Sequence, residues 1–567
     1  MTSTPSENSL QVMAKEMVSP QSSSNSLNHL IRPERANKPI GISLFGSCFN
    51  FSTEQSKQNF HKALVLLLTF IAYAAFHMGR RPFSIVKNVL NRDCSKFYNR
   101  TTTDNIGVGG GGVDTDPLLD NDYPEVNATY LANPYSKDTS CDWAPFNDDA
   151  TANKLLAYLD TAFLASYAIC MFGSGVIAER TNLRYLITLG MMLSGLSLIA
   201  FGVSYQLDIH SMFYFILIQI FAGAAQSTGW PVVVTCVGNW FDDSSRGTVY
   251  GIWNSHTNLG NILGATIAGY FVESDWGLSF IWPGVIMIVV GIILFLFLVP
   301  SPKDVNLRKP DENLSIETRE AATIISAACQ KPTELNSDLE NNKVATISPS
   351  GSHEKLKAVS FMTALKIPGV IEYSFCLFFS KLVSYTFLYW LPRYIASSTT
   401  NNSEHSAYLS TPFDIGGIAG AILAGHLSDR FKVNGIICNI MLLMAIPSMF
   451  SYQKFGAYSS MHNILLQLVV GLLVNGPYCL ITTSVSADLG YRIKDGHAMA
   501  TVSAIIDGMG SVGAVLGPLF AGLVPEGDWS AVFLMLMLSD VLAALCIARI
   551  TIQDIKSVFC STKPSSG

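Results

Sequence analysis

Charge is scarce in this chain. Of its 567 residues only 14% are Asp, Glu, Lys or Arg, against roughly 25% in a typical soluble domain. That is too little to cover the surface of a soluble protein of this size, which excludes a secreted or cytosolic globular enzyme. A basic excess is missing too. The chain has 36 basic and 42 acidic residues, net −6, which excludes a nucleic-acid binder. The first 60 residues are polar and rich in Ser and Asn, without the apolar core of a cleaved signal peptide. The cysteines show no metal-ligand spacing. No nucleophile, acid/base pair or metal set falls at one membrane depth, so neither an enzyme nor a cofactor is expected. What is abundant is apolar: 49% of residues are hydrophobic and the mean hydropathy is +0.32. Disorder throughout is excluded on the same ground, and a polytopic membrane protein remains.

A helix needs about 20 mostly apolar residues to cross a bilayer. Twelve such stretches are present, at 62–90, 155–178, 184–204, 211–240, 246–272, 278–299, 369–397, 406–428, 434–452, 462–486, 497–524 and 529–552. The runs are continuous rather than alternating, which excludes a transmembrane barrel. The predicted fold class is therefore all-α, with six spans on either side of a polar connector. The division is a disordered tail 1–61, a first six-helix bundle 62–299 with a long loop 91–154, a connector 300–368, a second bundle 369–552, and a tail 553–567.

Basic residues set the orientation. The connector carries nine Lys or Arg, among them Arg308, Lys309 and Arg319. The short loops after spans two and eight carry Arg180, Arg184, Arg430 and Lys432. All fall on one side, with both termini, so that side is cytosolic. The 91–154 loop is acidic and falls opposite. It holds the glycosylation sequons Asn99-Arg100-Thr101 and Asn127-Ala128-Thr129. It also holds two cysteines, Cys94 and Cys141, which either pair as a disulfide or stay free.

The two halves repeat. Gly175, Glu179 and Arg180 after span two recur as Gly425, Asp429 and Arg430 after span eight, offset by 250. Spans five and eleven share glycines, at 260, 264 and 269 and at 510, 513 and 517. Small residues let helices approach closely. That smooth face serves either as a sliding surface between halves or as static packing. The Gly-x-x-x-acid-Arg loop, occurring twice, resembles the signature of the major facilitator superfamily. The resemblance implies a gating role for Glu179, Arg180, Asp429 and Arg430.

Ionisable residues inside a span are expensive and mark function by default. In span one His77, Arg80, Ser84 and Lys87 fall within an arc of about 80°, with Arg81 beside it. Lys87 can snorkel to the interface; Arg80 lies past the midplane. Lys381 sits inside span seven, the repeat partner of span one. Cations on both helices facing one cavity would make a pseudo-symmetric anion site. A phosphate monoester, with about −1.5 to −2 charges near neutral pH, fits it. Asp160, Asp414 and Asp507 are intramembrane acids that could neutralise part of that charge. Asn254 and His256 on span five either bond a sugar hydroxyl or link helices. Tyr385 and Trp390 read as packing residues.

The segment Arg80-Arg81-Pro82-Phe83-Ser84-Ile85-Val86-Lys87 resembles span one of the sugar-phosphate exchangers, solute carrier family 37. Gly229-Trp230-Pro231, Asn239-Trp240-Phe241 and Trp253-Asn254-Ser255-His256 resemble spans four to five of the organophosphate:phosphate antiporters. The run Lys381 to Pro392 is similar to span seven of the same branch. The resemblance covers about 60 to 552. It implies exchange of a sugar phosphate, typically glucose 6-phosphate, for inorganic phosphate across the endoplasmic reticulum membrane. Arg80 and Arg81 then take the phosphate-binding positions, with His77, Lys87, Lys381, Asn254 and His256 as further substrate contacts. The expected partners are the two phosphate-bearing substrates and the lipid bilayer, in a monomer or weak oligomer. The rival readings are a carrier of another phosphate-bearing anion, such as glycerol 3-phosphate or a phosphonate, and a non-transporting sugar-phosphate sensor.

Overall fold

Inside a bilayer every backbone N–H must find its partner within the protein, and a helix achieves this within one segment. The computed structural model describes residues 38–45, 51, 53–91, 143–146, 149–241, 251–307, 361–399, 403–490, 499–525 and 527–561. Among these, eleven helices are long and apolar enough to cross a membrane. A twelfth, His256–Val272, is preceded by helical residues 251–254. The spans are one (Glu54–Leu90), two (Asp149–Arg180), three (Leu183–Gln206), four (Met212–Gln226 and Gly229–Trp240), five (His256–Val272) and six (Leu278–Phe297). Seven to twelve are Val370–Ser398, Ser403–Leu409 with Thr411–Phe431, Asn434–Phe455, Ser460–Gly490, Met499–Leu523 and Trp529–Cys546.

Local chemistry explains where these helices depart from the apolar runs. Span one starts eight residues early, at Glu54, because Thr53 caps it by accepting from the Ser56 N–H. It continues unbroken through Pro82. Span four breaks at Ser227-Thr228. Pro231 has no N–H to offer the Ser227 carbonyl, which accepts instead from Ser174 Oγ of span two (2.9 Å). Span ten widens into a π turn at Ile481–Val485, where Ser486 Oγ donates to the Ile481 and Thr482 carbonyls. After span twelve the chain turns at Ile547 and continues as a further helix, Ala548–Ser561, across the stretch read as the end of a span and a tail. Asp554 on this helix accepts from the Gly435 N–H at the start of span nine (2.9 Å).

The two halves pack by the same scheme, one with five, two with four, three with six, and correspondingly seven with eleven, eight with ten, nine with twelve. Glycines set these approaches. On span five, a methyl added at Gly260 or Gly264 would sit 2.3 or 2.5 Å from the Ala74 or Met78 carbonyl oxygen of span one. On span eleven, Gly513 and Gly517 stand equally close to the Phe378 and Leu382 carbonyl oxygens of span seven. Gly260, Gly264, Gly513 and Gly517 therefore serve packing inside each half. Gly269 differs: a methyl there would lie 2.9 Å from Ala407 Cβ of span eight, so this end of the span-five face meets the other half.

Spans one and seven lie at the centre. In the most apolar window of span seven 83% of residues are buried, against 39% in spans six and twelve, which line the outside. Span one meets span seven, two meets eleven, and five meets eight across the interface between halves. We call outer the end bearing residues 90, 149 and 398. There the halves are tied. Arg393 of span seven donates to Asn91 Oδ1 (2.7 Å) and to the Lys87 carbonyl (3.4 Å). A methyl at Gly522 of span eleven would lie 2.3 Å from Ala157 Cβ of span two. At the opposite end of span two, methyls at Gly173 and Gly175 would meet nothing within 4 Å among the described residues.

Candidate functional site

Span one is buried on every side from Ala72 to Leu90, so its polar residues face protein rather than lipid. Arg80, 4% exposed, donates from Nε to Gln226 Oε1 of span four (2.8 Å) and from Nη1 to the Tyr385 hydroxyl of span seven (3.2 Å). Its guanidinium stacks over the Tyr167 ring at 4.6 Å. Nη2 has no hydrogen-bond partner among the described residues. Among the described residues no carboxylate lies within ion-pair distance of Arg80.

The other cations are different. Lys87 is fully buried, contacts Asp160 of span two, and lies 4.2 Å from the Trp390 ring centroid. It does not snorkel, because an acid on the neighbouring helix meets its charge inside the protein. Lys381 contacts Asp507 of span eleven at 2.7 Å. Arg81 bonds the Leu388 carbonyl and Ser410 Oγ (2.7 Å), with Asp414 of span eight 3.9 Å away. Three of the four cations read from the sequence thus face an acid, and the site holds fewer uncompensated charges than that reading implied. Lys381 and Arg80 both lie within electrostatic reach of Tyr167 and Tyr385.

His77 Nδ1 faces Asn261 Oδ1 at 3.4 Å, one turn from Arg80. His256 borders this cluster, since the Tyr73 ring lies between it and His77 (centroids 4.7 and 5.2 Å), and Asn254 lies two residues before it. Asn254 Nδ2 donates to Cys479 Sγ of span ten. His256 is boxed by Tyr73, Trp253 and Phe70, with ring centroids 4.7, 4.6 and 5.8 Å away. Arg180, Asp429 and Arg430 are exposed at the inner ends of spans two and eight. Arg430 stacks on its neighbour Phe431. The side chain of Glu179 lies outside the described residues, as do Asn99, Asn127, Cys94 and Cys141.

Tyr385 corrects one expectation. It is a hydrogen-bonding wall of the cation site and not packing alone. Gln226 was missed altogether. Its signal was an amide within the apolar run of span four, seven residues after Gln219.

A family model described as Major Facilitator Superfamily matches residues 144–500. The glucose-6-phosphate exchanger SLC37A2 of Homo sapiens is 46% identical over 516 residues, covering 90% of this chain and 96% of the relative. The Bos taurus SLC37A2 is 45% identical over 501 residues, covering 87% and 95%. The chain belongs to the SLC37 branch of the major facilitator superfamily. Human SLC37A1, named likewise as a glucose-6-phosphate exchanger, is 42% identical over 543 residues, covering 92% of this chain and 97% of its own. The crystal structure of a D-xylose-proton symporter shares the fold, with a TM-score of 0.53 at 11% identity, covering 86% of this chain and 97% of its own. As an SLC37 member the protein is a multi-pass membrane transporter and not an enzyme.

Proposed function

We propose that this SLC37 protein exchanges glucose 6-phosphate for inorganic phosphate by alternating access, with Arg80 as the principal phosphate ligand. The observation that carries the reading is the buried Arg80 guanidinium, which among the described residues has polar partners but no acid and keeps Nη2 unpartnered. Arginine suits a phosphate because its fork matches two oxygens at once. The Tyr385 hydroxyl accepts from Arg80, which leaves its own proton to donate to the bound anion. Lys381 adds a second positive centre, moderated by Asp507. The printed names of the relatives support the sugar phosphate.

Exchange follows from the charge. An empty site presents an uncompensated buried cation, which is costly to enclose. A bound phosphate offsets that cost, so reorientation runs with an anion aboard in either direction. The tied outer end fits a state open toward the cytosol, with Glu179, Arg180, Asp429 and Arg430 forming the inner gate in the opposite state. We place the carrier in the endoplasmic reticulum membrane from the family resemblance. The excess of Lys and Arg in the connector and short inner loops supports cytosolic termini. The chain works as a monomer or weak oligomer in this reading, its site lying between its own two halves.

The test is uptake of labelled glucose 6-phosphate into proteoliposomes preloaded with phosphate or left empty. Wild-type uptake should require internal phosphate. Arg80→Ala should abolish exchange while its elution profile stays that of the wild type. Exchange that survives in this variant refutes the reading.

A further inference from the structure

The helix Ala548–Ser561, set off from span twelve by the turn at Ile547, is held against the protein along one side. Thr551 Oγ1 accepts from Asn439 Nδ2 (3.0 Å) and donates to the Gly435 carbonyl (3.1 Å), and Asp554 Oδ2 accepts from the Gly435 N–H (2.9 Å). Residues 435 and 439 lie about one turn apart on span nine, so the helix runs along the flank of that span and not beneath its end. Arg549 reaches Glu372 in the first turn of span seven (3.3 Å). These contacts fix which way the helix faces.

The side turned away from the protein is apolar. Ile552 and Ile555 are 52% and 40% exposed. At about 100° per residue, Ile552 stands about 160° round the helix from both Ile550 and Asp554, the residues that pack on Gly435. Ile555 stands about 60° from Ile552, and Lys556 about 40° to its other side, with Arg549 about 20° beyond. The order round the helix is therefore protein contact, isoleucine stripe, cations, then the exposed polar residues Gln553 and Ser557. That order of faces suits a helix lying in a membrane interface, with its apolar stripe at the acyl boundary and its cations at the phosphates. Its depth agrees. Asn439 is followed on span nine by the exposed Ile440, Leu443 and Met444, and span twelve exposes Leu538, Leu542 and Leu545 down to the turn. The isoleucine stripe continues this lipid-facing surface at its inner edge.

We propose that the helix Ala548–Ser561 is a phospholipid-binding element lying in the inner face of the bilayer. Ile552 and Ile555 insert among the acyl chains, and Lys556 and Arg549 meet the lipid phosphates. Through Glu372 and Gly435 the helix ties spans seven and nine to the membrane plane, which fixes the level of the second half while the halves move. The inference is independent of which anion the protein carries.

The experiment uses full-length protein in phosphatidylcholine nanodiscs, with the fluorescent residue dansylalanine incorporated in place of Ile555 or, as a control, in place of Gln553. Acyl-brominated phosphatidylcholine should quench emission from position 555 about twofold more than emission from position 553, and aqueous iodide should show the reverse order. Equal quenching at the two positions overturns the proposal. So does shielding of position 555 from both quenchers, which would place a protein segment on the stripe. A second measurement needs no fluorescent residue. Trypsin cleavage after Lys556 in the nanodisc should be about tenfold faster in the double variant Ile552→Ser, Ile555→Ser than in the wild type, because the variant helix leaves the bilayer and opens more often. An unchanged rate overturns the proposal. Phosphate self-exchange at the wild-type rate shows that each variant keeps its fold.

Discussion

Removing the acid from the Lys87–Asp160 pair separates a structural charge from a substrate-binding one. Asp160→Asn keeps shape and polarity and leaves Lys87 fully buried without its carboxylate. Two unit charges about 4 Å apart attract by about 4 kcal/mol at an effective dielectric of about 20. Breaking one side of a buried pair costs about 3–5 kcal/mol, because the surviving charge stays in the interior. Lys87 retains the Tyr389 carbonyl at 3.3 Å and the Trp390 face at 4.2 Å, which places the loss near the lower end, about 3 kcal/mol. The double variant Lys87→Met, Asp160→Leu removes both charges and should recover most of that loss. Unfolding followed in detergent by tryptophan fluorescence reads the stability, and phosphate self-exchange reads the function. Asp160→Asn should be the least stable of the set, and the double variant should both fold and exchange. An Asp160→Asn protein as stable as wild type refutes the energetic reasoning. A double variant that folds well but does not exchange would return Lys87 to the anion site, where the sequence alone had placed it.

Further outcomes follow from the same geometry. Gly513→Ala puts a methyl 1.9 Å from the Phe378 carbonyl oxygen, a backbone atom that cannot swing aside. It should cost about 3 kcal/mol, the upper end of over-packing penalties, whereas Gly175→Ala, meeting nothing within 4 Å among the described residues, should leave the unfolding midpoint unchanged. Arg393→Gln weakens the outer tie to Asn91 and Lys87. A cysteine substituted for Tyr389 should then react faster with an impermeant thiol reagent added from the outer side, and an unchanged rate would show that the tie does not hold that end shut. Asn99→Gln with Asn127→Gln should collapse the glycosidase-sensitive band of cell-expressed protein to one species; a band still shifted by the glycosidase would place the sugars elsewhere.

The spans were legible because a bilayer demands long apolar runs, and little else in a sequence produces twelve of them. Their ends were less so. Ends follow from single events such as the Thr53 cap or the carbonyl freed by Pro231, and these need a neighbour to interpret. Arg80 was visible from helical spacing alone, since residues on one face of span one share that face whatever packs against it. The acids that meet Lys87 and Lys381 lie 73 and 126 residues away along the chain, so their pairing depends on which helices become neighbours. The same limit applied to the glycines. Their period announced a close approach, but only the packing shows that Gly260 and Gly264 meet span one while Gly269 meets span eight. Tyr385 was misread because on a helix buried all round an aromatic ring carries no sign of whether its hydroxyl is used.

The three ion pairs are not equivalent once motion is considered. Lys87–Asp160 joins spans one and two, and Lys381–Asp507 joins seven and eleven, so each stays within one half. Arg81–Asp414 runs from span one to span eight, and among the described residues it is the buried pair that crosses. When two rigid halves rock about a central site, the first two pairs travel intact and the third must part on every half-cycle. At 3.9 Å it is already beyond hydrogen-bond length. It parts together with the other polar contacts that bridge the halves: Arg81 to the Leu388 carbonyl and Ser410, Arg80 to Tyr385, and Arg393 to Asn91. A contact remade on every cycle has to be loose, whereas a pair that travels within one half is free to be tight.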